Sequence, residues 1–216
     1  MSIVLYYGSG SPYAWRVQLA LEHKALPYEL KVLSFSAGDT RKPEFLALNP
    51  RHRVPVIVEG DFVLYESNAI VEYLDEAHPA TGAPLFPGDV RTRALVRRLV
   101  MEVDAYLDKA LDSLTTQAFS KKPEERDPKE IADGRKAVVD ELVVLTKAMR
   151  GEFLAGPLSA ADFALYPLVA FLKRCELKLP DLDADGMLTP ELRAWKARIE
   201  ALPYLEKTIP PHWKAR

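Results

Sequence analysis

The spacing of hydrophobic residues changes along the chain and divides it into two parts. In the first part, strand-like runs at residues 2–7 and 28–33 enclose a helical pattern that opens at Pro12 and ends near His23. Residues 43–48 predict a further short helix. A strand, a helix and a strand in this order predict the opening of a βαβ unit.

The first part continues with a hairpin and a third helix. Two short apolar runs, 56–58 and 62–64, flank a Glu-Gly-Asp tripeptide and predict a tight β-hairpin. Pro55 stands at the mouth of the first of these strands, where a missing N–H is tolerated. The pattern then switches to a helical period, with Ser67 as the predicted N-cap. The resulting order, βαβαββα, is typical of a thioredoxin-like fold.

The second part follows a segment rich in proline and glycine, and it has no strand pattern. Apolar residues recur every three or four positions over 89–114 and predict one long amphipathic helix, and residues 129–150 predict another. Ser159 and Asp162 have the spacing of a capping box before an unusually apolar stretch, which predicts a buried central helix. We therefore predict a thioredoxin-like α/β domain over 1–76, a linker over 77–88 and an all-α helical bundle over 89–216.

Composition favours an ordinary globular protein, with 48% hydrophobic and 28% charged residues. The formal net charge of −2 predicts no nucleic-acid partner. No apolar run approaches the about 18 residues of a membrane span, and the N-terminus lacks the cationic start of a signal peptide. The single cysteine, Cys175, excludes an internal disulfide, so we predict a cytoplasmic location. Scattered histidines and one cysteine predict no metal site.

The start of the third predicted helix has the chemistry to bind an amino acid. The first turn of a helix presents free backbone N–H groups and a partial positive charge, and both attract a carboxylate. Ser67 adds a hydroxyl group, and the neighbouring Glu66 offers an anionic side chain for an ammonium group. The pair therefore predicts both halves of an amino-acid clamp.

The run from Asn49 to Leu74 combines N-P-x-x-x-V-P, a hairpin, E-S-x-A-I and Y-L. It resembles the glutathione-binding half of the glutathione S-transferase family, whose N-terminal domain is thioredoxin-like. The resemblance implies glutathione as co-substrate and no metal. It also implies that Pro55 is a cis-proline and that the backbone of Val54 pairs with the cysteinyl part of glutathione.

The resemblance assigns the two ends of glutathione to different groups. Glu66 and Ser67 hold the γ-glutamyl end, and an acidic residue such as Asp104 reaches the γ-glutamyl amine of a neighbouring subunit. The glycine carboxylate needs a cation, and His52 and Arg53 are the best candidates by resemblance. The basic residues in the loops that flank this site are Arg41, Lys42, Arg51, His52 and Arg53.

Glutathione reacts as a thiolate, and lowering a thiol pKa from about 8.5 to about 6.5 takes about 2.7 kcal/mol. One hydrogen bond to an anion supplies about 1.5–3 kcal/mol. Ser11, directly before Pro12 at the head of the first helix, can provide this bond. The stretch S-P-Y-A-W-R that begins at Ser11 is similar to the active-site segment of the serine-type classes, theta, phi and zeta. Ser9 and Tyr6 are alternative donors, and a plain N-cap is the alternative role for Ser11.

The electrophile pocket is predicted between the two domains, lined by Tyr13, Met101 and Asp104, with apolar and aromatic walls. We therefore predict a homodimeric, cytoplasmic glutathione transferase that conjugates glutathione to hydrophobic electrophiles. Glutathione-dependent isomerase or peroxidase chemistry is one alternative, although the segment at Ser11 departs from the zeta pattern S-S-C-S-W-R. A non-catalytic binding module of the same fold is the other.

Overall fold

The computed structural model describes residues 2–214, which fall into two compact units. The first unit contains the chain up to Phe86 together with the segment from Leu202 onward. The second unit runs from Pro87 to Ala201. The chain therefore leaves the first unit once and returns to it at its C-terminal end.

A four-stranded sheet is the centre of the first unit. Its strands are β1 (Ile3–Gly8), β2 (Tyr28–Leu33), β3 (Val56–Glu59) and β4 (Phe62–Tyr65). The order across the sheet is β2-β1-β3-β4, with β2 parallel to β1 and β3 antiparallel to both β1 and β4. Leu5 and Ile57 are opposite each other and fully buried, so the middle of the sheet belongs to the core.

Ten α-helices lie within the described residues. They are α1 (Pro12–His23), α2 (Pro43–Leu46), α3 (Ser67–Ala77), α4 (Val90–Glu102), α5 (Asp108–Thr115), α6 (Pro128–Ala148), α7 (Ala160–Glu176), α8 (Pro190–Glu200), α9 (Leu205–Thr208) and α10 (Pro211–Lys214). In the first unit α1 and α3 pack against each other and against the sheet. The predicted order βαβαββα is confirmed.

The start of α3 differs by one residue from the prediction. Ser67 is the first helical residue, and the N-cap position belongs to Glu66, whose backbone has φ 71° and ψ 108°. This positive φ turns the chain directly from β4 into the helix, so the helix begins without a side-chain cap among the described residues. The hydroxyl of Ser67 is instead bonded to a side chain of α1.

The second unit is helical throughout its long segments, as predicted, but the long helix is less regular. Between α4 and α5 the residues Val103–Leu107 form a π-helical turn, and Thr116–Ser120 form another after α5. A π-turn inserts one residue and rotates the side chains that follow. Leu111 and Leu114 remain buried despite this change, so the apolar face continues through α5. No helix between residues 2 and 214 is long and apolar enough to cross a bilayer.

Helix α7 is the buried centre of the second unit, as its apolar sequence predicted. Ser159 and Asp162 form the predicted capping box, and both are completely buried. The Asp162 carboxylate accepts hydrogen bonds from the backbone N–H groups of Leu154 and Ser159, at 3.0 and 2.9 Å, and from the Trp195 indole at 2.8 Å. Burial raises the pKa of Asp162 to about 6 despite these bonds, which favour its ionised form.

The segment that leaves the first unit is fixed to it before the second unit begins. Asp75 of α3 accepts hydrogen bonds from the backbone N–H groups of Leu85 and Phe86, at 2.8 and 3.2 Å. The amine of the buried Lys24 lies 3.2 Å from the same carboxylate. At the other end of the chain, α9 packs against α1, which the sequence did not indicate.

Candidate functional site

The loop before α1 holds Ser11 at the N-cap of that helix. Its backbone is extended, with φ −74° and ψ 119°, and its N–H donates to the carbonyl of Gly8 at 2.9 Å. The Ser11 hydroxyl accepts a hydrogen bond from the Ala14 N–H at 3.3 Å. Because the oxygen acts as an acceptor there, the hydroxyl proton is available to a second partner. Ser11 is half-buried, so that partner can come from solvent.

A second loop brings Val54 and Pro55 to the same place. Their peptide bond is cis, as the resemblance implied, and Pro55 is buried. A Cβ atom at Gly8 would lie 2.9 Å from Cγ2 of Val54 and 2.2 Å from the ring of Phe35. The Phe35 ring and the Val54 methyl group would both have to move to admit a side chain at Gly8, so glycine at the end of β1 lets these residues approach closely.

The start of α3 is joined to α1 by Arg16. Arg16 is 2% exposed, and its Nη1 atom donates to Ser67 Oγ at 3.3 Å and to Asn68 Oδ1 at 2.5 Å. A buried positive charge therefore lies at the N-terminus of α3, where the helix dipole is also positive. Both features favour a carboxylate ligand at this point, and the exposed Glu66 stands beside it.

The basic loop before the cis-proline is organised by Asn49. This side chain is 2% exposed; it donates to the carbonyl of Arg53 at 2.8 Å and accepts from the N–H of Arg51 at 2.9 Å. His52 has a positive φ of 47°, and its N–H donates to the Asn49 carbonyl at 3.0 Å. The backbone of the loop is thus fixed while the side chains of Arg51, His52 and Arg53 remain exposed.

Of the other basic residues near the site, Lys42 is engaged in an ion pair. Its amine lies 2.7 Å from the carboxylate of Asp39, and this bond lowers the pKa of Asp39. Exposed pairs of this kind contribute little to stability, so Lys42 can exchange its partner easily. The pairing nevertheless makes the exposed His52 and Arg53 the better candidates for an incoming carboxylate.

The two alternative donors have different surroundings. Tyr6 packs its ring 6.0 Å from that of Phe45 in α2, with the Lys31 amine 5.3 Å from its ring centre. Ser9 lies in the loop of Ser11, and its hydroxyl is 3.1 Å from Nδ1 of His212. Ser9 therefore remains close to the candidate site, whereas Tyr6 is committed to packing against α2.

The predicted electrophile residues fall in both units. Tyr13 belongs to the first unit, where the Arg16 guanidinium lies 5.1 Å from its ring centre. Met101 and Asp104 belong to the second unit; Met101 is 68% exposed, and Asp104 lies in the first π-turn. A shared pocket for the electrophile stays a prediction.

Neither a metal nor a thiol nucleophile is indicated among residues 2–214. No group of three or more potential ligands for a metal occurs in that range. Cys175 is fully buried in α7, and burial raises the pKa of its thiol to about 12. A thiol with such a pKa stays protonated at neutral pH, so Cys175 is not a candidate nucleophile.

Comparison with protein families covers nearly the whole chain. The N-terminal domain of glutathione S-transferase matches residues 10–77, and the C-terminal domain of glutathione S-transferase matches residues 73–203. The chain belongs to the glutathione S-transferase family. The predictions of the family, of the fold class and of a transferase are confirmed.

Individual relatives of this transferase agree with the family assignment. Glutathione S-transferase A of Pleuronectes platessa is 30% identical over 98% of this chain and 92% of its own length. A probable maleylacetoacetate isomerase of Vibrio cholerae is 32% identical over 97% of this chain and 96% of its own length. A crystal structure of a glutathione S-transferase from the Antarctic clam Laternula elliptica has a TM-score of 0.85 at 30% identity, covering 100% of this chain and 95% of that one.

Two residues that organise the candidate site, Asn49 and Arg16, have no role assigned by the sequence patterns. Asn49 belongs to the N-P-x-x-x-V-P motif and Arg16 to the S-P-Y-A-W-R segment, and neither pattern specifies what these two side chains contact. A signal for Arg16 was present, because a basic residue stands among apolar positions of α1, where a charge has to find partners inside the protein. The partners themselves depend on the crossing of α1 and α3 and could not be found from the sequence.

Proposed function

We propose that this transferase binds glutathione on its first unit, ionises the thiol beside Ser11 and joins the thiolate to a hydrophobic electrophile. The observation that carries the proposal is the Ser11 hydroxyl, which accepts from the Ala14 N–H at the head of α1. A hydroxyl that accepts one hydrogen bond is polarised towards donating the next. Ser11 can therefore donate to a sulfur anion while it still caps its helix.

The energy required is within the reach of this group. A shift of the thiol pKa by two units needs about 2.7 kcal/mol, and a hydrogen bond to an anion contributes about 1.5–3 kcal/mol. The N-terminus of α1, twelve residues long, adds about 0.3–2 kcal/mol. Ser11 and its helix thus provide enough stabilisation for the thiolate without a general base.

The remainder of glutathione is assigned by the resemblance to the family, and the charges of the two ends agree with it. The γ-glutamyl carboxylate is bound by the first N–H groups of α3 and the Ser67 hydroxyl, and its ammonium group by Glu66. The cysteinyl part pairs with the backbone of Val54 beside the cis-proline. The glycine carboxylate is bound by His52 and Arg53, which are exposed on a loop whose backbone Asn49 fixes.

The transferase proposal is tested by removing the Ser11 hydroxyl in two ways. Ser11→Ala removes the hydroxyl and weakens the cap, whereas Ser11→Gly removes it at a cost of only a few tenths of a kcal/mol to the cap. Both variants should lose most of their turnover with a panel of hydrophobic electrophiles and still bind glutathione in calorimetry. A turnover equal to that of the wild type in both variants would contradict the role of Ser11, and Ser9→Ala then tests the neighbouring hydroxyl.

Isomerase chemistry on the same thiolate is the second candidate. It is favoured by the full-length similarity to the probable maleylacetoacetate isomerase of Vibrio cholerae. In this reaction the thiolate adds to a double bond, the carbon chain rotates, and the thiolate leaves again unchanged. Product analysis with a maleyl-type substrate separates the two, because an isomerase regenerates glutathione and a transferase consumes it. Consumption of an organic hydroperoxide would indicate a peroxidase instead.

We further infer that the transferase is a cytoplasmic homodimer. Three apolar side chains on the helical run of the second unit are strongly exposed, namely Val90 at 70%, Met101 at 68% and Tyr106 at 58%. The dimer is implied by the resemblance to the family, and these exposed side chains are the candidates for its contacts. Sedimentation should therefore give a particle of twice the chain mass, and a particle of 24.2 kDa would contradict the dimer.

A further inference from the structure

The last turns of the chain are attached to α1 through a buried hydrogen bond. We call residues 205–213 the C-terminal clasp. The indole N–H of Trp15 donates to the hydroxyl of Thr208 at 2.8 Å, and both residues are 2% exposed. The Thr208 hydroxyl in turn donates to the carbonyl of Leu205 at 2.8 Å. The clasp is thus joined to the residue four positions after Ser11.

A second attachment reaches the loop that carries Ser11. Nδ1 of His212 lies 3.1 Å from the hydroxyl of Ser9, and Nε2 of His212 accepts from the Trp213 indole at 2.9 Å. An indole N–H can only donate, so this bond assigns Nε2 of His212 as the acceptor nitrogen. The proton is then on Nδ1, which donates to Ser9. The Ser9 hydroxyl accepts this bond, so its own proton is available to another partner. The Ser11 hydroxyl is in the same position, because it accepts from the Ala14 N–H.

The same ring lies against the backbone of the loop. Gly10 has φ +90°, and a Cβ atom there would lie 3.2 Å from both Cε1 and Nε2 of His212. The Trp213 ring meets that of Trp15 edge-on, with ring centres 5.3 Å apart. The clasp therefore contacts Ser9 and Gly10 on one side of Ser11 and Trp15 on the other.

We propose that the C-terminal clasp positions Ser11 for the reaction, with Thr208 and His212 as positioning residues. The inference rests on the proposed function, since it assumes that the Ser11 hydroxyl donates to the sulfur. A hydrogen bond to an anion weakens steeply as its geometry departs from linearity. The loop around Ser11 has two glycines, Gly8 and Gly10, and contacts from outside the loop restrict the orientations that they allow.

The first test is kinetic and uses paired histidine variants. His212→Ala should lower kcat by about 3- to 10-fold, which is the rate change expected from the loss of one hydrogen bond. The KM for glutathione should change by a smaller factor. His212→Asn should restore most of the loss, because an amide N–H can replace Nδ1–H towards Ser9. The control is His78→Ala, since His78 pairs with Glu59 in the same unit and has no part in the site.

The second test does not depend on activity. The Ser11 amide is protected by its hydrogen bond to Gly8, and the Trp15 amide by its bond to Ser11. Both amides should exchange hydrogen faster in His212→Ala and in Thr208→Val than in the wild type, while His78→Ala leaves them unchanged. This measurement needs neither glutathione nor an electrophile.

The two tests separate the possible failures. If Ser11→Ala keeps full turnover while the clasp variants accelerate exchange at Ser11, the proposed function fails and the structural role of the clasp stands. If Thr208→Val and His212→Ala lower only the melting temperature, with kcat and exchange at Ser11 unchanged, the clasp merely stabilises the fold and the inference is overturned.

Discussion

Ser11 and Ser159 both stand at the N-terminus of a helix, but their hydroxyl groups do different work. The Ser159 hydroxyl is fully buried and donates to the Asp162 carboxylate at 3.0 Å. The Ser11 hydroxyl is half-buried and accepts from the Ala14 N–H at 3.3 Å. The hydroxyl proton of Ser159 is used in a hydrogen bond inside the protein. The hydroxyl proton of Ser11 remains available to a ligand. The partner of the proton, rather than the helix position, distinguishes a structural serine from a candidate catalytic one.

The largest effect should come from removing the acceptor at the structural helix. Asp162→Ala leaves the buried N–H groups of Leu154, Ser159 and Trp195 without their acceptor, and each such group costs about 1–3 kcal/mol. Urea denaturation should show a loss of about 3–5 kcal/mol in the free energy of unfolding. The matched control is Asp112→Ala, at an exposed aspartate, where the change should stay within about 0.5 kcal/mol. A loss of similar size in both variants would contradict the structural role of Asp162.

The second largest effect is expected on turnover, when the Ser11 hydroxyl at the start of α1 is removed. Ser11→Gly should lower kcat by about 100-fold, which corresponds to the about 2.7 kcal/mol assigned to the thiolate. Its free energy of unfolding should fall by only a few tenths of a kcal/mol. The pKa of the bound thiol, followed by the ultraviolet absorbance of the thiolate, should rise towards that of free glutathione. An unchanged thiol pKa would show that Ser11 does not stabilise the anion.

The reverse pattern is expected at Ser159. Ser159→Ala should lower the free energy of unfolding by about 1–2 kcal/mol through the loss of its cap. The folded protein should keep its full turnover, because the Ser159 hydroxyl is fully buried and donates to Asp162, so it cannot reach a ligand. A fall in kcat with an unchanged KM, measured well below the melting temperature, would show that Ser159 also contributes to the reaction.

The smallest effect on activity is predicted for modification of Cys175, which is buried like Asp162 and Ser159. Burial raises its thiol pKa to about 12, so the thiol is protonated throughout the range from pH 6 to pH 9. A thiol-alkylating reagent at pH 8 should leave the native protein unmodified and fully active, while it labels the urea-unfolded chain. Rapid alkylation of the folded protein would contradict this burial.

The elements of the first unit followed from local patterns. The strand at 28–33 and the helix that begins at Pro12 depend on alternation, on an N-cap and on proline, all of which act within a few residues. The π-turn at Val103–Leu107 was not predicted, because the apolar period on either side of it hides a single inserted residue. The start of α3 was displaced by one residue, since the positive φ of Glu66 has no signal in its residue type.

Sequence patterns nominate the residues of the candidate site but give none of the contacts that connect them. Ser11, Val54, Pro55, Glu66 and Ser67 came from short motifs and from a resemblance. The contact of Arg16 with Ser67 joins residues 51 positions apart, and that of Ser9 with His212 joins residues 203 positions apart. Such contacts depend on how the helices cross, and no local pattern encodes them.

Arg16 connects the two ends of the candidate site, because its side chain extends from α1 and hydrogen-bonds at the start of α3. It belongs to the helix that Ser11 begins, and it is also the anchor of the residue with which α3 begins. Glutathione analogues altered at both the glutamyl and the sulfur ends should therefore lose affinity non-additively. The two alterations affect groups that contact the same side chain, Arg16, or the helix that carries it. An inhibitor designed for the proposed glutathione site should therefore be optimised in both halves together.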